Sequence, residues 1–204
     1  MTSIVYTNTY SEPPFDKKEI ARYARCGKLS EDVLTVIDEC IKEARGSLAY
    51  RVCYCEYGVD IVGKTVDFGF AKVTSEDLAK ALFGCNTAVI FIATVGIGID
   101  RLITKYSRIS PIKALIMQAI GAERAEALCD ELTLELKNIY SKEGKELMPR
   151  FSPGYGDLPL EFQADIFKAL APEKRIGVSL NGSLLMSPTK SVSAIIGIKE
   201  QAKE

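Results

Sequence analysis

Arg150-Phe151-Ser152-Pro153-Gly154-Tyr155 is the least ordinary stretch of this 204-residue chain, and the elements arrayed around it decide the fold. A glycine between proline and tyrosine leaves the backbone open to a ligand with no Cβ in the way. Arg150 brings a planar fork that can hold a carboxylate by two hydrogen bonds. Tyr155 can stack on a planar base or donate its hydroxyl. Such a set suits a ligand with a carboxylate at one end and an aromatic ring at the other. A plain surface turn collects the same residues, with Arg150 paired to Glu146 or Asp157.

Downstream of this loop, residues 160–170 have helical spacing. Residues 176–180 and 183–186 flank Asn181-Gly182, a strong hairpin signal, and 191–198 read as a final strand. Upstream, 142–146 form a charged linker. Before it, Pro111 opens a helix to about residue 140, with Ile112, Leu115, Ile116, Ala119, Ile120, Leu128, Leu132 and Leu136 as its apolar stripe. A shorter helix covers 99–106, and the β-rich run 87–95 reads as a strand buried on both faces. Ser75 caps a helix to 83; 49–57 and 60–73 read as strands, the second broken at Gly63 and Gly69. Helices over 16–25 and from the Ser30 cap to Ala44 complete the chain. Strands and helices mix without strict alternation, which predicts an α+β fold with a largely antiparallel twisted sheet packed with helices. One domain spans 1–204, and a small N-terminal helical lobe over 1–46 is compatible with it.

Lysine and arginine number 26 and aspartate and glutamate 27, a net charge of -1 that argues against nucleic acid or an anionic membrane as main partner. The N-terminus lacks a basic region followed by an apolar run, and the apolar stretch 87–99 is too short to span a bilayer, so a soluble, cytoplasmic protein is expected. There is no histidine, which removes histidine metal ligation, histidine general-base catalysis and the Ser-His-Asp triad together. No C-x2-C pair occurs among the six cysteines, which read as buried or free thiols; Cys53 and Cys55, two apart on a strand, share one face. No metal site and no self-contained catalytic residue is expected.

Two glycine patterns resemble phosphate-binding motifs. Gly96-Ile97-Gly98 lacks the third glycine of a dinucleotide fingerprint. The stretch from Gly58 to Gly63-Lys64-Thr65 matches the P-loop pattern, yet a strand-like run follows where a helix must begin, so a twisted or bulged strand is the better reading.

The loop R-F-S-P-G-Y resembles the R-x-A-P-G-Y loop of the activation domain of vitamin B12-dependent methionine synthase. The resemblance continues in order through the helix 162–170, the stretch 172–177, the segment ending in Met186, Ser187-Pro188, and Ser191-Val192-Ser193. Upstream, Ala125-Glu126-Ala127 resembles the family's A-E-A helix, and 91–96 resembles its F-x-x-T-x-G strand. Residues 22–41 resemble only the short free-standing members. Gly156-Asp157-Leu158-Pro159 replaces the family's Cys- and His-containing continuation. The Tyr pair that helps form the ligand site of full-length members, and their N-terminal ligand-contacting Asp, have no assignable counterpart.

The resemblance implies that this chain holds S-adenosylmethionine while inactivated cobalamin is reductively remethylated. Arg150 would hold the ligand carboxylate, and Glu126 would face its amino group or sulfonium. Ser152, Pro153, Gly154 and Tyr155 would line the adenosine pocket, and Ser191 and Ser193 would offer hydroxyl or backbone bonds. Cobalamin would be carried by a partner, a methionine synthase lacking its own activation domain, and the electron would come from a separate redox protein. A non-catalytic docking subunit and an activator of another corrinoid methyltransferase are the competing functions.

Overall fold

The apolar run after Gly84 forms the central strand of the molecule. The computed structural model describes residues 4–27 and 30–201. Its strands are β1 (Tyr6–Thr9), β2 (Arg51–Gly58), β3 (Asp60–Val62), β4 (Thr65–Asp67), β5 (Lys72–Thr74), β6 (Cys85–Thr94), β7 (Lys145–Leu147), β8 (Ser179–Leu180), β9 (Met186–Ser187) and β10 (Ser191–Glu200). Its helices are α1 (Lys17–Tyr23), α2 (Glu31–Ala44), α3 (Glu76–Ala81), α4 (Gly98–Ile109), α5 (Pro111–Ser141), α6 (Phe162–Leu170) and α7 (Pro172–Ile176).

The main sheet has five strands in the order β1-β2-β6-β10-β7, and every pairing is antiparallel. β6 is buried along nearly its whole length because both faces of the sheet are covered. Val89, Phe91 and Ala93 face one core with Ile20, Ile37, Ile116 and Leu128 of α1, α2 and α5. Ala88, Ile90 and Ile92 face a second core with Leu78, Phe162 and Ile166 of α3 and α6. The fold is thus α+β, a curled antiparallel sheet between helices. Cys53 and Cys55 both enter the second core.

The capping signals act as their chemistry dictates. The Ser30 side chain accepts from the Val33 N–H, Ser75 from Leu78, and Ser110 from Lys113 just ahead of Pro111 in the first turn of α5. At 31 residues α5 is about 46 Å long at 1.5 Å per residue, so it crosses the whole sheet. Its buried stripe starts one turn later than the sequence pattern suggests: Ile112 and Leu115 are exposed, and Ile116, Met117 and Ile120 are the first core residues.

Three segments depart from expectation. β1 lies outside the sequence reading because its residues YTNT bury little and join the sheet through backbone pairing with β2. The charged linker 142–146 runs into β7, an edge strand whose charged side chains need no burial. Ile176 ends a helix rather than starting a strand, and the hairpin reduces to the short pair β8 and β9. There the Asn181 side chain accepts from the Ser183 and Leu185 N–H groups, so the asparagine organises a wider loop instead of a two-residue turn.

Both glycine motifs have structural explanations. Gly63 and Lys64 form the turn of the β3–β4 hairpin, with Gly63 at φ +62°, so no helix follows the lysine. A Cβ at Gly98 would lie 1.9 Å from the Ser47 carbonyl oxygen, so that glycine is required by backbone packing.

Candidate functional site

β10 is paired with β6 along its length, but β7 covers its outer edge only over residues 198–200. Farther back, Met148 and Phe151 bond to that edge: the Phe151 N–H donates to the Ile195 carbonyl at 2.9 Å and the Ile195 N–H to Phe151 at 2.8 Å. Pro153, lacking an N–H, cannot extend the pairing, and the chain turns away through Gly154 at φ +88°. The gap left beside β10 is a cleft of about 480 Å³ lined by Arg150, Ser152, Pro153, Tyr155, Glu126, Ser191 and Ser193. Phe151, Gln163, Met186 and Val192 complete its wall.

Seven of the eight residues singled out in the sequence therefore line one cleft. Gly154 is not on that wall. Its positive φ makes the turn, and an added Cβ would meet Leu160 at 3.3 Å.

Arg150 is half-buried and points at α5. Nη1 donates to Asp130 Oδ1 at 2.7 Å and Thr133 Oγ1 at 3.3 Å, and Nη2 to Glu126 Oε2 at 3.1 Å. These partners, not Glu146 or Asp157, hold the guanidinium. Burial opposes its charge, and the bond to Asp130 with the neighbouring acids more than offsets that, so its pKa rises. Three of its five N–H donors are engaged. Among the described residues nothing bonds Nε–H or the second Nη2–H, which leaves them to a carboxylate.

Glu126 is shared with an adjoining cleft that also carries Asp16, Glu19, Asp130 and Glu131. This acidic side favours the cationic part of a ligand, while Arg150 favours the anionic part. Glu123, which shares that side of α5, is not a solvated acid: it is 5% exposed and tied to the fully buried Arg124.

The two serines spend their hydroxyls on the protein. Ser191 Oγ lies 2.8 Å from both Thr94 Oγ1 and the Pro188 carbonyl, and Ser193 Oγ donates to Gln163 Oε1 at 3.0 Å. Tyr155 is 70% exposed at the cleft mouth. The stretch that replaces the family's continuation anchors the loop. The Asp157 carboxylate accepts from the Ser75 hydroxyl and from the N–H groups of Glu76 (2.7 Å) and Asp77 (3.1 Å), and those bonds, Ser75 first, hold its pKa down. Leu158 is buried in the second core.

Sequence reasoning missed Asp130, Thr133, Gln163 and Met186. Asp130 had a usable signal, since it stands one helical turn from Glu126. Gln163 had none, being one polar residue in an amphipathic helix.

Fold and cleft together define a mixed α/β domain with an open cleft at the half-covered edge of an antiparallel sheet. The family model described as vitamin B12 dependent methionine synthase, activation domain, matches residues 78–204, more than half of the chain, and the chain belongs to that family. Among solved structures it is similar to the crystal structure of the MetH reactivation domain bound to AdoHcy, with a TM-score of 0.71 at 15% identity over 98% of this chain and 79% of that one. No curated protein matches the chain by sequence. Among the described residues, no helix is long and apolar enough to cross a membrane.

Proposed function

We propose that this chain binds S-adenosylmethionine and presents it to a corrinoid cofactor carried outside residues 1–204, supporting reductive remethylation in a cobalamin-dependent methionine synthase. The observation that carries the reading is the Arg150 guanidinium, which lines the cleft with two N–H groups that no described residue engages. A volume of about 480 Å³ falls in the range of small-molecule sites, and its lining is mixed, with Phe151, Pro153, Met186 and Val192 beside polar and charged groups. The similar reactivation domain is bound to AdoHcy, which supports the same ligand class.

When bound, S-adenosylmethionine supplies a methyl group activated by its sulfonium, and the neutral thioether is what leaves. The protein then needs no nucleophile, and its task is position. Arg150 grips the carboxylate, Glu126 and Asp130 face the amino group, and Tyr155 stands at the open mouth. The docking partner is a cobalamin-bearing chain or domain, and the electron comes from a separate donor.

The test uses a methionine synthase corrinoid module holding cob(II)alamin, a chemical reductant and S-adenosylmethionine. Adding this chain is expected to produce the methylcobalamin absorbance spectrum. An unchanged spectrum with and without the chain contradicts the proposal.

A further inference from the structure

A second cleft, of about 510 Å³, lies where β2 begins and α4 makes its first turn. It shares a wall with the cleft beside β10. Arg51 of β2 stands opposite Thr94 of β6, and Thr94 opposite Ser191 of β10, so the three share one face of the sheet. Arg51 and Thr94 line the second cleft and Ser191 the first, and the Thr94 and Ser191 hydroxyls meet at 2.8 Å.

The second cleft is cationic. Arg51, Arg101 and Lys105 line it, and among the described residues no carboxylate does. Arg101 and Lys105 stand one turn apart on α4 and so face the same way. Lys105 is already paired with Glu43 at 2.7 Å. Asp100, beside Arg101, spends its carboxylate on the N–H (3.0 Å) and hydroxyl of Thr189. The Arg51 and Arg101 guanidiniums have no hydrogen-bond or ion-pair partner among the described residues. Two uncompensated like charges on one concave wall repel, and an anion between them turns that cost into attraction. The backbone adds donors: α4 starts without a side-chain cap, and no described residue accepts the Gly98 N–H. Gly98 brings that end of the helix to the cleft wall because its backbone packs directly on Ser47. A helix start favours negative charge.

We infer that this cleft binds a small phosphate-bearing ligand. The two guanidinium forks grip the phosphate oxygens, the first turn of α4 offers its N–H, and Leu102 and Ile176 take the organic part. A monocarboxylate satisfies one fork, whereas a phosphate has the charge and the oxygens to occupy both. The site is independent of the one proposed for S-adenosylmethionine, whose Arg150 is held on α5.

The probe is pyrophosphate, titrated calorimetrically into the whole chain in phosphate-free buffer at low salt. One site per chain is expected, with sub-millimolar affinity. Arg51→Gln and Arg101→Gln, both at exposed positions, are each expected to weaken it roughly 10-fold or more, with thermal melts like the wild type. Arg150→Met is expected to leave it unchanged. No saturable heat at millimolar pyrophosphate, or full affinity in the double variant Arg51→Gln with Arg101→Gln, overturns the inference. Loss of binding in a folded Arg150→Met overturns it too, since the anion would then occupy the other cleft. A chain that binds pyrophosphate but not S-adenosylmethionine sustains this inference and counts only against the proposed function.

Discussion

Replacing Arg124 by methionine tests how the N-terminal segment is held to the long helix that bears the site. Arg124 is fully buried and Glu123 is 5% exposed. Arg124 Nη1 donates to the Pro13 carbonyl at 2.5 Å and Nη2 to Pro14 at 2.7 Å; Nε bonds Glu123 at 2.5 Å. Its guanidinium carbon sits 3.9 Å from the centre of the Phe15 ring, and Glu123 Oε1 accepts from the Asp16 N–H at 3.1 Å. Burial opposes the charge on Arg124, and its hydrogen bonds to Glu123 outweigh that and raise its pKa. Methionine conserves much of the volume but leaves Glu123 buried without its cation and two carbonyls without donors. Breaking one side of a buried pair costs about 3–5 kcal/mol. That is a large share of a typical stability of about 5–15 kcal/mol, and corresponds to roughly 10 °C in Tm. Urea denaturation supplies the magnitude, and hydrogen exchange should show the amides of α1 opening first. The double variant Glu123→Gln with Arg124→Met removes the stranded charge while keeping an acceptor for Asp16, and should recover about 2 kcal/mol. A cost below about 1 kcal/mol for Arg124→Met would show that this pair does not anchor the segment.

Gly98→Ala forces a Cβ to 1.9 Å from the Ser47 carbonyl oxygen, so backbone must move; a loss of roughly 2–4 kcal/mol is expected by thermal melting, and an unchanged Tm refutes the close approach. At pH 8 a thiol reagent should label only Cys26 promptly, since the other five cysteines are buried; two or more fast-reacting thiols contradict the burial. Burial also pushes Cys53 and Cys129 up to about 12 and Cys40 to about 11, from an ordinary 9.0. The folded state thus favours the neutral thiol, a contribution intact below about pH 9 and lost as pH rises toward 12, so urea midpoints should fall between pH 8 and 10.5. On the acid side, hydrogen bonds from Lys64 and Lys80 hold Glu76 at about 2, below its ordinary 4.5. That contribution is present above 4.5 and lost as pH falls toward 2, and Glu76→Gln should flatten the acid limb of the stability profile at low salt only, because the group is fully exposed.

The central elements were legible because their patterns have one physical solution. β6 is apolar on both parities, so it had to be covered on both faces. Pro111 marks the start of α5. The run 60–73, read as one twisted or bulged strand, folds instead as the three-stranded antiparallel sheet β3-β4-β5, because Gly63 at positive φ lets Gly63-Lys64 make a tight hairpin turn. β1 and β7 were illegible for a shared reason: edge strands join through backbone bonds, and YTNT and KEL carry no burial signal. The hairpin read at Asn181-Gly182 forms, but with shorter strands and a wider loop, because the asparagine side chain competes with the backbone for turn N–H groups. For the site, the loop residues were found from their chemistry and the resemblance. The protein partners of Arg150 lie on another element, at Asp130 and Thr133, and only folding brings them together. Gly154 was valued for ligand access, whereas its position explains it as the hinge of the turn after Pro153.

The most direct measurement is calorimetric titration of S-adenosylmethionine into the wild-type chain and into Arg150→Met. The wild type is expected to give a one-to-one isotherm. The variant is expected to bind about 10- to 100-fold more weakly, through the loss of a charge-assisted carboxylate clamp. Undiminished affinity in a folded Arg150→Met, or no heat from the wild type at millimolar ligand, would contradict the role given to that guanidinium.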